Sequence, residues 1–466
     1  WTKMKHKVKR IHFIGIGGVG MSGIAEVLFN LGYEVSGSDA GQSYNTDRLE
    51  QVGIKVFIGH AASNVGNADV IVTSTAIDKS NPEIGYGLEH RIPIVPRARM
   101  LAELMRFKYG IAIAGTHGKT TTTSMAAEVL KECALDPTFI IGGKLATTGS
   151  NAKLGSGDYL VAEADESDAS FLFLNPMISV VTNIDLDHMD TYDHDENKLK
   201  QAFIDFLRLL PFYGRAIVCG EDRRIQEIIP SINRPLTTYG LSDKFDIYAS
   251  DIKASGSAME YTLHVKWLQL SYPIRVNMPG MHNVLNSLAV IALALECDGK
   301  IEDIARGLAN FHGVGRRCQH YPNIIKDGKR ALLVDDYGHH PVEVKATISA
   351  LRGAYPDKRL VVIFQPHRYT RTRDLFDDFV SVLTGVDQLI ITEVYPAGEK
   401  PIALADGRSL VRAIRLQGNE NAIFAEDIED AKAKLNIVLQ NDDLVVTMGA
   451  GSIGKLPAML TAHPMQ

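Results

Sequence analysis

Cysteine is scarce in this chain of 466 residues: there are four, at Cys133, Cys219, Cys297 and Cys318. No two stand in C-x-x-C spacing, so neither a disulfide framework nor a thiolate zinc site is expected, and a reducing, cytoplasmic setting is the simplest one. Long apolar runs are also missing. No window approaches the roughly 18 consecutive apolar residues of a membrane span, so no membrane insertion is expected. The N-terminal "WTKMKHKVKR" is basic, but a short strand pattern and glycines follow it where a secretory signal would carry an apolar core, so no such signal is expected there. An excess of positive charge is absent as well. Lys and Arg number 49 against 55 Asp and Glu, a formal net charge of -6, which argues against a nucleic-acid partner. Neither short internal repeats nor low-complexity segments are visible.

What remains is an ordinary globular composition, 45% hydrophobic and 22% charged, with a length that suits about three domains. From residue 10 to 97, "RIHFIG", "YEVSGSD", "IKVFIG", "ADVIVTST" and "IPIVPR" read as short strands, with "MSGIAEVLFNLG" as a helix closed by Gly32. That alternation predicts a parallel sheet with helices. A second series runs through "YGIAIAG", "PTFIIGG", "DYLVAEAD", "MISVVTNI" and "GRAIVCG". The texture then changes to hairpin-like alternation over "KFDIYASDIKASGSAMEYTLHVKWLQLSYPIRVNMPG", followed by the helical "HNVLNSLAVIALALE". A third α/β series spans "RALLVDDYG", "RLVVIFQPH", "QLIITEVY" and "DLVVTMGAGSIG". The Gly- and His-rich "NFHGVGRRCQHYPN" separates the last two. Domains are therefore expected over 1–97, 98–313 and 314–466.

The segment "GIAIAGTHGKTTTTSMAAEVL" (110–130) carries the strongest chemical signal. A strand, a glycine turn and a helix start converge backbone N–H groups on one point, where the helix dipole favours a phosphate. Lys119 would reach the outer phosphates and the Thr120 hydroxyl would face a Mg²⁺. The generic motif G-x-x-x-x-G-K-[ST] wants a glycine at 113, which is Ile113; the loop here is the shorter G-x-x-G-K-T from Gly115. The plainer reading is a glycine turn before a Thr-rich helix cap. In "YLVAEADESDASFL", Glu163 and Asp165 end an apolar strand, where ligands bind in open α/β sheets. One of Glu163, Asp165, Glu166 and Asp168 suits Mg²⁺, the rest being expected in a solvated loop. In "VVTNIDLDHMDTYDHDEN", His188 is a candidate ligand, although Mg²⁺ prefers oxygen; zinc competes, but no H-E-x-x-H is present.

The N-terminal "FIGIGGVGMSG" holds a full G-x-G-x-x-G at Gly15, Gly17 and Gly20, with Asp39 ending the next strand, as a dinucleotide fingerprint expects. Its physical content is narrower: amides that face a diphosphate, such as that of a nucleotide sugar. "VVTMGAGSIG" repeats the pattern at Gly449, Gly451 and Gly454, where close helix–strand packing would explain it equally. In the third series, Asp335, Asp336, Tyr337, His339 and His340 follow one strand, while Arg368, Arg371 and Arg373 follow another. Arginines at a strand end suit bidentate grips on phosphate or carboxylate; Arg373 reads as a surface residue, and the two histidines also fit a helix cap.

Taken together and in order, "GTHGKT", "AEADESDASFL", "TNIDLDHMDTY", "MHNVLNSLA", "GVGRR" and "DDYGHHP" resemble the Mur ligases, ATP-dependent amide-bond synthetases of cell-wall precursor assembly. The resemblance spans essentially the whole chain. It implies three α/β domains: a Rossmann-like N-terminal domain for a UDP-sugar, a central P-loop ATPase-type domain and a Rossmann-like C-terminal domain for the amino acid. The wording of "GIGGVGMSG", "DLDHMDTY" and "DDYGHHP" is most similar to the branch that adds L-alanine to UDP-N-acetylmuramate in peptidoglycan synthesis.

The resemblance also implies residue roles. Gly115, Thr116, Gly118, Lys119, Thr120 and Thr121 would hold the ATP phosphates, with Thr120 and Glu163 on Mg²⁺ and His188 on a second Mg²⁺, for which Mn²⁺ would substitute. His282, Asn283 and Asn286 would lie on the adenine side, Arg317 at the phosphates and Asp336 near the ribose. Gly17, Gly18 and Ser74 would bind the sugar nucleotide. Tyr337, His339, Arg368 and Arg371 would face the amino acid or the transferred phosphate. Lys119, Glu163, His188, Arg368 and Arg371 form the expected catalytic set, and His188 or His339 would take the amine proton. Substrates shared among three domains imply hinges near 97 and 313. Some relatives carry a carbamylated lysine after the metal-binding histidine; "KQAFIDF" places Ala202 and Phe203 there, so none is expected. Three rival readings stand beside this one: a recycling ligase that adds a preformed tripeptide to the same sugar nucleotide, an NAD-dependent dehydrogenase and an ATP-gated regulatory module.

Overall fold

The computed structural model describes Met4, residues 7–141 and residues 151–461. Parts of the basic N-terminal stretch and the paired glycines that end "PTFIIGG" fall outside the described residues. The chain forms two compact units. One comprises the chain up to Ile252 with Tyr261–Arg275 and Val284–His312; the other comprises Lys253–Glu260, Val276–Asn283 and the chain from Gly313 on.

The first unit opens with five short strands, β1 (Arg10–Ile14), β2 (Glu34–Asp39), β3 (Lys55–Ile58), β4 (Val70–Thr73) and β5 (Ile94–Pro96). All pair in parallel, in the order β3-β2-β1-β4-β5. Strand order reverses between β1 and β4, which creates a crevice at their carboxyl ends. The helix Val19–Asn30 follows β1 directly. It ends as the sequence predicts, with Gly32 in the left-handed region at φ 92°, a conformation that glycine adopts without a Cβ clash.

A ten-stranded sheet follows. Its strands are β6 (Tyr109–Ala114), β7 (Thr138–Ile140), β8 (Ala152–Lys153), β9 (Tyr159–Glu163), β10 (Ile178–Val181), β11 (Arg215–Cys219), β12 (Leu236–Gly240), β13 (Ile247–Ser255), β14 (Ala258–Val265) and β15 (Leu270–Val276), in the order β15-β14-β13-β12-β11-β10-β6-β9-β7-β8. β6 lies between β9 and β10 and is parallel to both. Their carboxyl ends therefore emerge side by side, and each carries one of the motifs singled out above. The apolar runs Ile111–Ala114, Leu160–Ala162 and Val180–Val181 are buried, as strands covered on both faces require.

The second unit is built on β16 (Gln319–Lys326), β17 (Lys329–Asp336), β18 (Leu360–Phe364), β19 (Gln388–Thr392), β20 (Ala422–Ala425) and β21 (Leu444–Met448), in the order β16-β17-β21-β18-β19-β20. Alternate side chains enter two cores. Leu360, Val362, Phe364, Leu389, Ile391, Val446 and Met448 pack on one face, and Val361, Ile363, Ile390 and Val445 on the other. β16 corrects the sequence reading. "CQHYPN" reads as part of a boundary, yet Gln319 begins an antiparallel edge strand. Pro322 falls where the register shifts between Tyr321 and Ile324, and a sheet tolerates proline at such a bulged edge.

Candidate active site

The phosphate loop is held by its neighbour on the β10 side. Thr116 donates its N–H to the Asn183 carbonyl (3.1 Å). The His117 N–H reaches Asn183 Oδ1 (2.8 Å), and Asn183 Nδ2 returns to the His117 carbonyl (2.9 Å). Thr182 Oγ1 also donates to that carbonyl (2.9 Å). Gly115 sits at φ 137°, and a Cβ there would lie 2.0 Å from Thr182 Oγ1. The short loop therefore presses its first glycine against β10, which accounts for the glycine standing at 115. Gly118, at φ 82°, caps the helix Lys119–Glu132 without a side-chain acceptor. The N–H groups of Lys119, Thr120 and Thr121 have no residue four back inside the helix, so they form the donor cluster that an anion takes up. Asn286 adjoins it: a Cβ on Gly118 would meet Asn286 Oδ1 at 3.0 Å.

The acidic segment after β9 is not a solvated loop. Glu166 is 2% exposed, and Glu163, Asp165 and Asp168 are half-buried. Glu166 Oε2 accepts from Lys119 Nζ at 2.6 Å. Burial lifts the Glu166 carboxyl to about 7, against the opposing pull of Lys119. Burial also works against the Lys119 charge, but Glu166, Asp165 and Glu163 outweigh it and raise its pKa. Asp165 is burdened by burial too, yet Lys119 and the Ser167 N–H hold its carboxyl below the ordinary range. Asp168 accepts from the Ser170 N–H (3.0 Å) and from Thr75 Oγ1 (3.2 Å) and ties the loop down.

His188 lies on the β10 loop at φ 51°, with Nε2 3.4 Å from Asp187 Oδ2. The two acidic loops are stapled together: the Tyr192 hydroxyl donates to the Glu166 carbonyl, and Thr191 Oγ1 to the Ser167 carbonyl. The loops bearing Glu163 and His188 are thus joined by side-chain hydroxyls of one on backbone carbonyls of the other. His117 Nε2 contacts Asp185 Oδ2 at 2.9 Å. In the helix Glu196–Arg208, Ala202 and Phe203 are buried, while Lys198 pairs with Asp193 and Lys200 with Glu227.

At the N-terminal glycine loop the structure shifts the donors. Gly17 gives its N–H to Asp39 Oδ2 (2.8 Å) and Gly18 gives its own to the Gly15 carbonyl (3.1 Å). The N–H groups of Val19 and Gly20, at the start of the helix, are the ones with no such partner among the described residues. Gly17 and Gly18 thus shape the crevice while the next two residues present the amides. Ser74 follows β4, half-buried, on the other side of the switch point.

In the second unit, His282, Arg317 and Asp336 gather. Burial lowers the His282 pKa, with Asp336 raising it and Arg317 lowering it further. Asp336 is 5% exposed and accepts from the N–H groups of Cys318 (2.9 Å) and Gly338 (2.8 Å) and from Thr347 Oγ1 (3.3 Å). Its carboxylate organises the loop after β17. Asn283 Nδ2 donates to the Pro279 carbonyl (2.8 Å). Arg317 lies over the Tyr337 ring (5.0 Å), which meets the His339 ring edge-on. His340 caps the helix Pro341–Ala354 in a capping box with Glu343, so the cap reading holds for that histidine. His339, His367, Arg368 and Arg371 form a second group. Arg371 Nη1 reaches His367 Nδ1 (3.1 Å) and the His367 carbonyl (2.9 Å). Burial, then Arg371, His339 and Arg368, push His367 down to about 4. Arg373 pairs with Asp374 at the surface. The second glycine motif is packing: a Cβ at Gly451 would meet Gln365 Oε1 and the Tyr395 ring at 2.6 Å.

Sequence reasoning gave no role to Asn183, His117 or His367, and did not single out Glu166 within its motif. Asn183, His117 and Glu166 owe their places to contacts between loops distant in sequence, which no local spacing reveals, and His367 owes its lowered pKa first to burial.

Three α/β sheets follow one another along the chain, and in the second the strand β6 leads into a G-x-x-G-K-T loop while its parallel neighbours β9 and β10 end in acidic loops, an arrangement that defines a nucleotide-binding α/β protein. Family models agree along the chain: "Mur ligase family, catalytic domain" matches residues 10–109, "Mur ligase middle domain" residues 113–294, and "Mur ligase, glutamate ligase domain" residues 316–451. The chain belongs to the Mur ligase family. It is 59% identical over 461 residues to the UDP-N-acetylmuramate–L-alanine ligase of Chromobacterium violaceum, covering 98% of this chain and 99% of that one. It is 60% identical over 462 residues to the ligase of the same name from Laribacter hongkongensis, covering 98% of each. The crystal structure of the UDP-N-acetylmuramate-alanine ligase of Thermotoga maritima superposes with a TM-score of 0.81 at 28% identity, covering 97% of this chain and 98% of that one.

Proposed function

We propose that this chain joins L-alanine to the lactyl carboxylate of UDP-N-acetylmuramate, converting ATP to ADP and phosphate, in peptidoglycan precursor synthesis. The observation that carries this reading is identity near 60%, along essentially the whole chain, to ligases of that name. The tripeptide-adding, dehydrogenase and regulatory readings have no comparable support and are set aside.

A carboxylate and an ammonium do not condense usefully in water, so the carboxylate must be activated. In the proposed route the lactyl carboxylate oxygen attacks the γ-phosphorus of ATP and ADP leaves, giving an acyl phosphate. The amine of L-alanine then attacks the acyl carbon, an amine proton passes to a base, and inorganic phosphate departs. The protein supplies alignment and charge neutralisation. Lys119 and the amides of Lys119–Thr121 would hold the phosphates. His188 and His339 are candidates for the base. Arg368 and Arg371, beside a neutral His367, offer a cationic grip for a carboxylate or phosphate.

The oxygens of Thr120 and Glu163 suit a hard divalent cation. Thr120 is the second residue of the helix after the phosphate loop, and Glu163 ends β9 in register with Ile113, one residue before the end of β6. These two residues, with His188 on the stapled loop, would hold Mg²⁺. When bound, Mg²⁺ would neutralise phosphate charge as two anions meet. Among the described residues no helix is long and apolar enough to cross a membrane, and a cytoplasmic site of action is proposed.

The test is phosphate release from ATP with UDP-N-acetylmuramate, with and without L-alanine, glycine, serine or the tripeptide. Release that needs both the sugar nucleotide and L-alanine supports the reading. Release with tripeptide alone moves the chain to the recycling branch, and none with any acceptor overturns it.

A further inference from the structure

The Lys119 ammonium, which the phosphate loop needs for its ligand, is already engaged by a protein anion. Glu166 Oε2 stands 2.6 Å from Lys119 Nζ, the carboxylate side chain 2% exposed and the lysine 18%. The remaining carboxylate oxygen, Oε1, is buried and has no hydrogen-bond partner among the described residues. A buried ion pair kept for stability alone has its other lone pairs satisfied, because each one left bare costs desolvation energy. This one is left half-satisfied. The Glu166 backbone is nevertheless fixed, since its carbonyl accepts the Tyr192 hydroxyl. Glu166 is therefore rigidly placed at its main chain and incompletely bonded at its head, with its one ion pair made to the lysine at the start of the helix.

We propose that Glu166 is a positioning residue that competes with nucleotide phosphate for the Lys119 ammonium, steadying the lysine before ATP arrives and recapturing it as ADP leaves. The inference rests on the proposed ATP-dependent reading of this loop. Phosphate binding then exchanges one anion for another on a single cation. Affinity is lower than the loop would otherwise give, and product release is correspondingly easier. Asp165 and Glu163 also bear on Lys119 electrostatically, so neutralising Glu166 leaves the lysine compensated.

The experiment titrates ATP and ADP calorimetrically, in EDTA so that no cation contributes, into the wild type, Glu166→Gln, Glu166→Asp, Lys119→Ala and the Lys119→Ala/Glu166→Gln double variant. The expected result is tighter binding of both nucleotides to Glu166→Gln, by roughly three- to tenfold for loss of one competing charge, and stronger product inhibition by ADP in turnover. The gain should vanish in the double variant relative to Lys119→Ala, since the coupling runs through the lysine. A residue that merely supported the fold would not tighten binding when removed. Unchanged or weaker nucleotide binding in Glu166→Gln overturns the proposal. If that variant does not fold, Glu166→Asp decides, its shorter side chain drawing the carboxylate back and tightening binding in the same direction. Failure of the wild type to bind either nucleotide, both in EDTA and with Mg²⁺ restored, would instead overturn the nucleotide reading of the loop.

Discussion

At the first turn of a helix a lysine faces the positive end of the dipole, so Lys119 sits where a cation is least welcome and a bound anion most so. Glu166 meets part of that demand and phosphate would meet the rest. Replacing Lys119 by Ala is expected to lower kcat by about 10²- to 10³-fold, as for loss of one preorganised charge donor, with far-UV circular dichroism unchanged; turnover within threefold of the wild type would count against its assignment. His367 gives a second residue-scale expectation. The Arg371 guanidinium donates to Nδ1, which requires the neutral ring, and the pKa falls from about 6.5 to about 4. Between those values the unfolded chain binds a proton that the folded chain refuses. This contribution to stability is therefore present above pH 6.5 and is lost as pH falls through the window toward 4. Thermal unfolding followed from pH 7 to 4 should show a shallower decline in His367→Gln than in the wild type. Lys119, Gly115 and Gly118 were legible because a phosphate loop is a local pattern. Glu166 was not, since its lysine partner reaches it only through the fold, and at His367, whose partner Arg371 is four residues on, the burial and the approach of His339 were hidden.

Elements were legible where their pattern is local and obscured where packing overrides it. The apolar runs of β6, β9, β10, β18 and β21 declare buried strands. β12, with the sequence "LTTYG", and the four-residue edge strand β20, with "AIFA", do not, because a run so polar or so short fits a strand or a loop equally well. β16 carries Pro322, which reads as a break until its place at a bulged edge is seen. The compressed loop after β6 is the element on which the candidate site depends, and it is fixed by contact with β10 rather than by its own sequence. Gly115→Ala would force a Cβ to within 2.0 Å of Thr182 Oγ1 at a backbone angle that L-residues avoid. It is expected to cost about 1–3 kcal/mol through backbone strain and to abolish ATP binding, read by thermal unfolding and calorimetry together; native stability with native affinity would show that the loop has room the structure does not display.

On the scale of the whole molecule, the three α/β series were legible from alternation alone. Stability in the second unit comes from a sheet that buries apolar side chains on both faces. Phe364 is fully buried against Phe379 at a ring separation of 5.5 Å, so Phe364→Ala is expected to lose about 3–5 kcal/mol, measured as a lowered denaturant midpoint. The N-terminal sheet carries a subtler lesson. Its glycine motif and the acid at the end of β2 match the dinucleotide fingerprint in sequence, and only the fold shows what the acid does. Asp39 turns back onto the Gly17 N–H, and a Cβ at Gly17 would meet that same carboxylate at 2.8 Å. One oxygen of the group that a dehydrogenase offers to a ribose diol is here taken by the loop itself. Inhibitors designed to bridge that carboxylate in dinucleotide enzymes would meet one whose Oδ2 already holds the Gly17 N–H, which makes Asp39 a point of drug selectivity between two protein classes that share a motif.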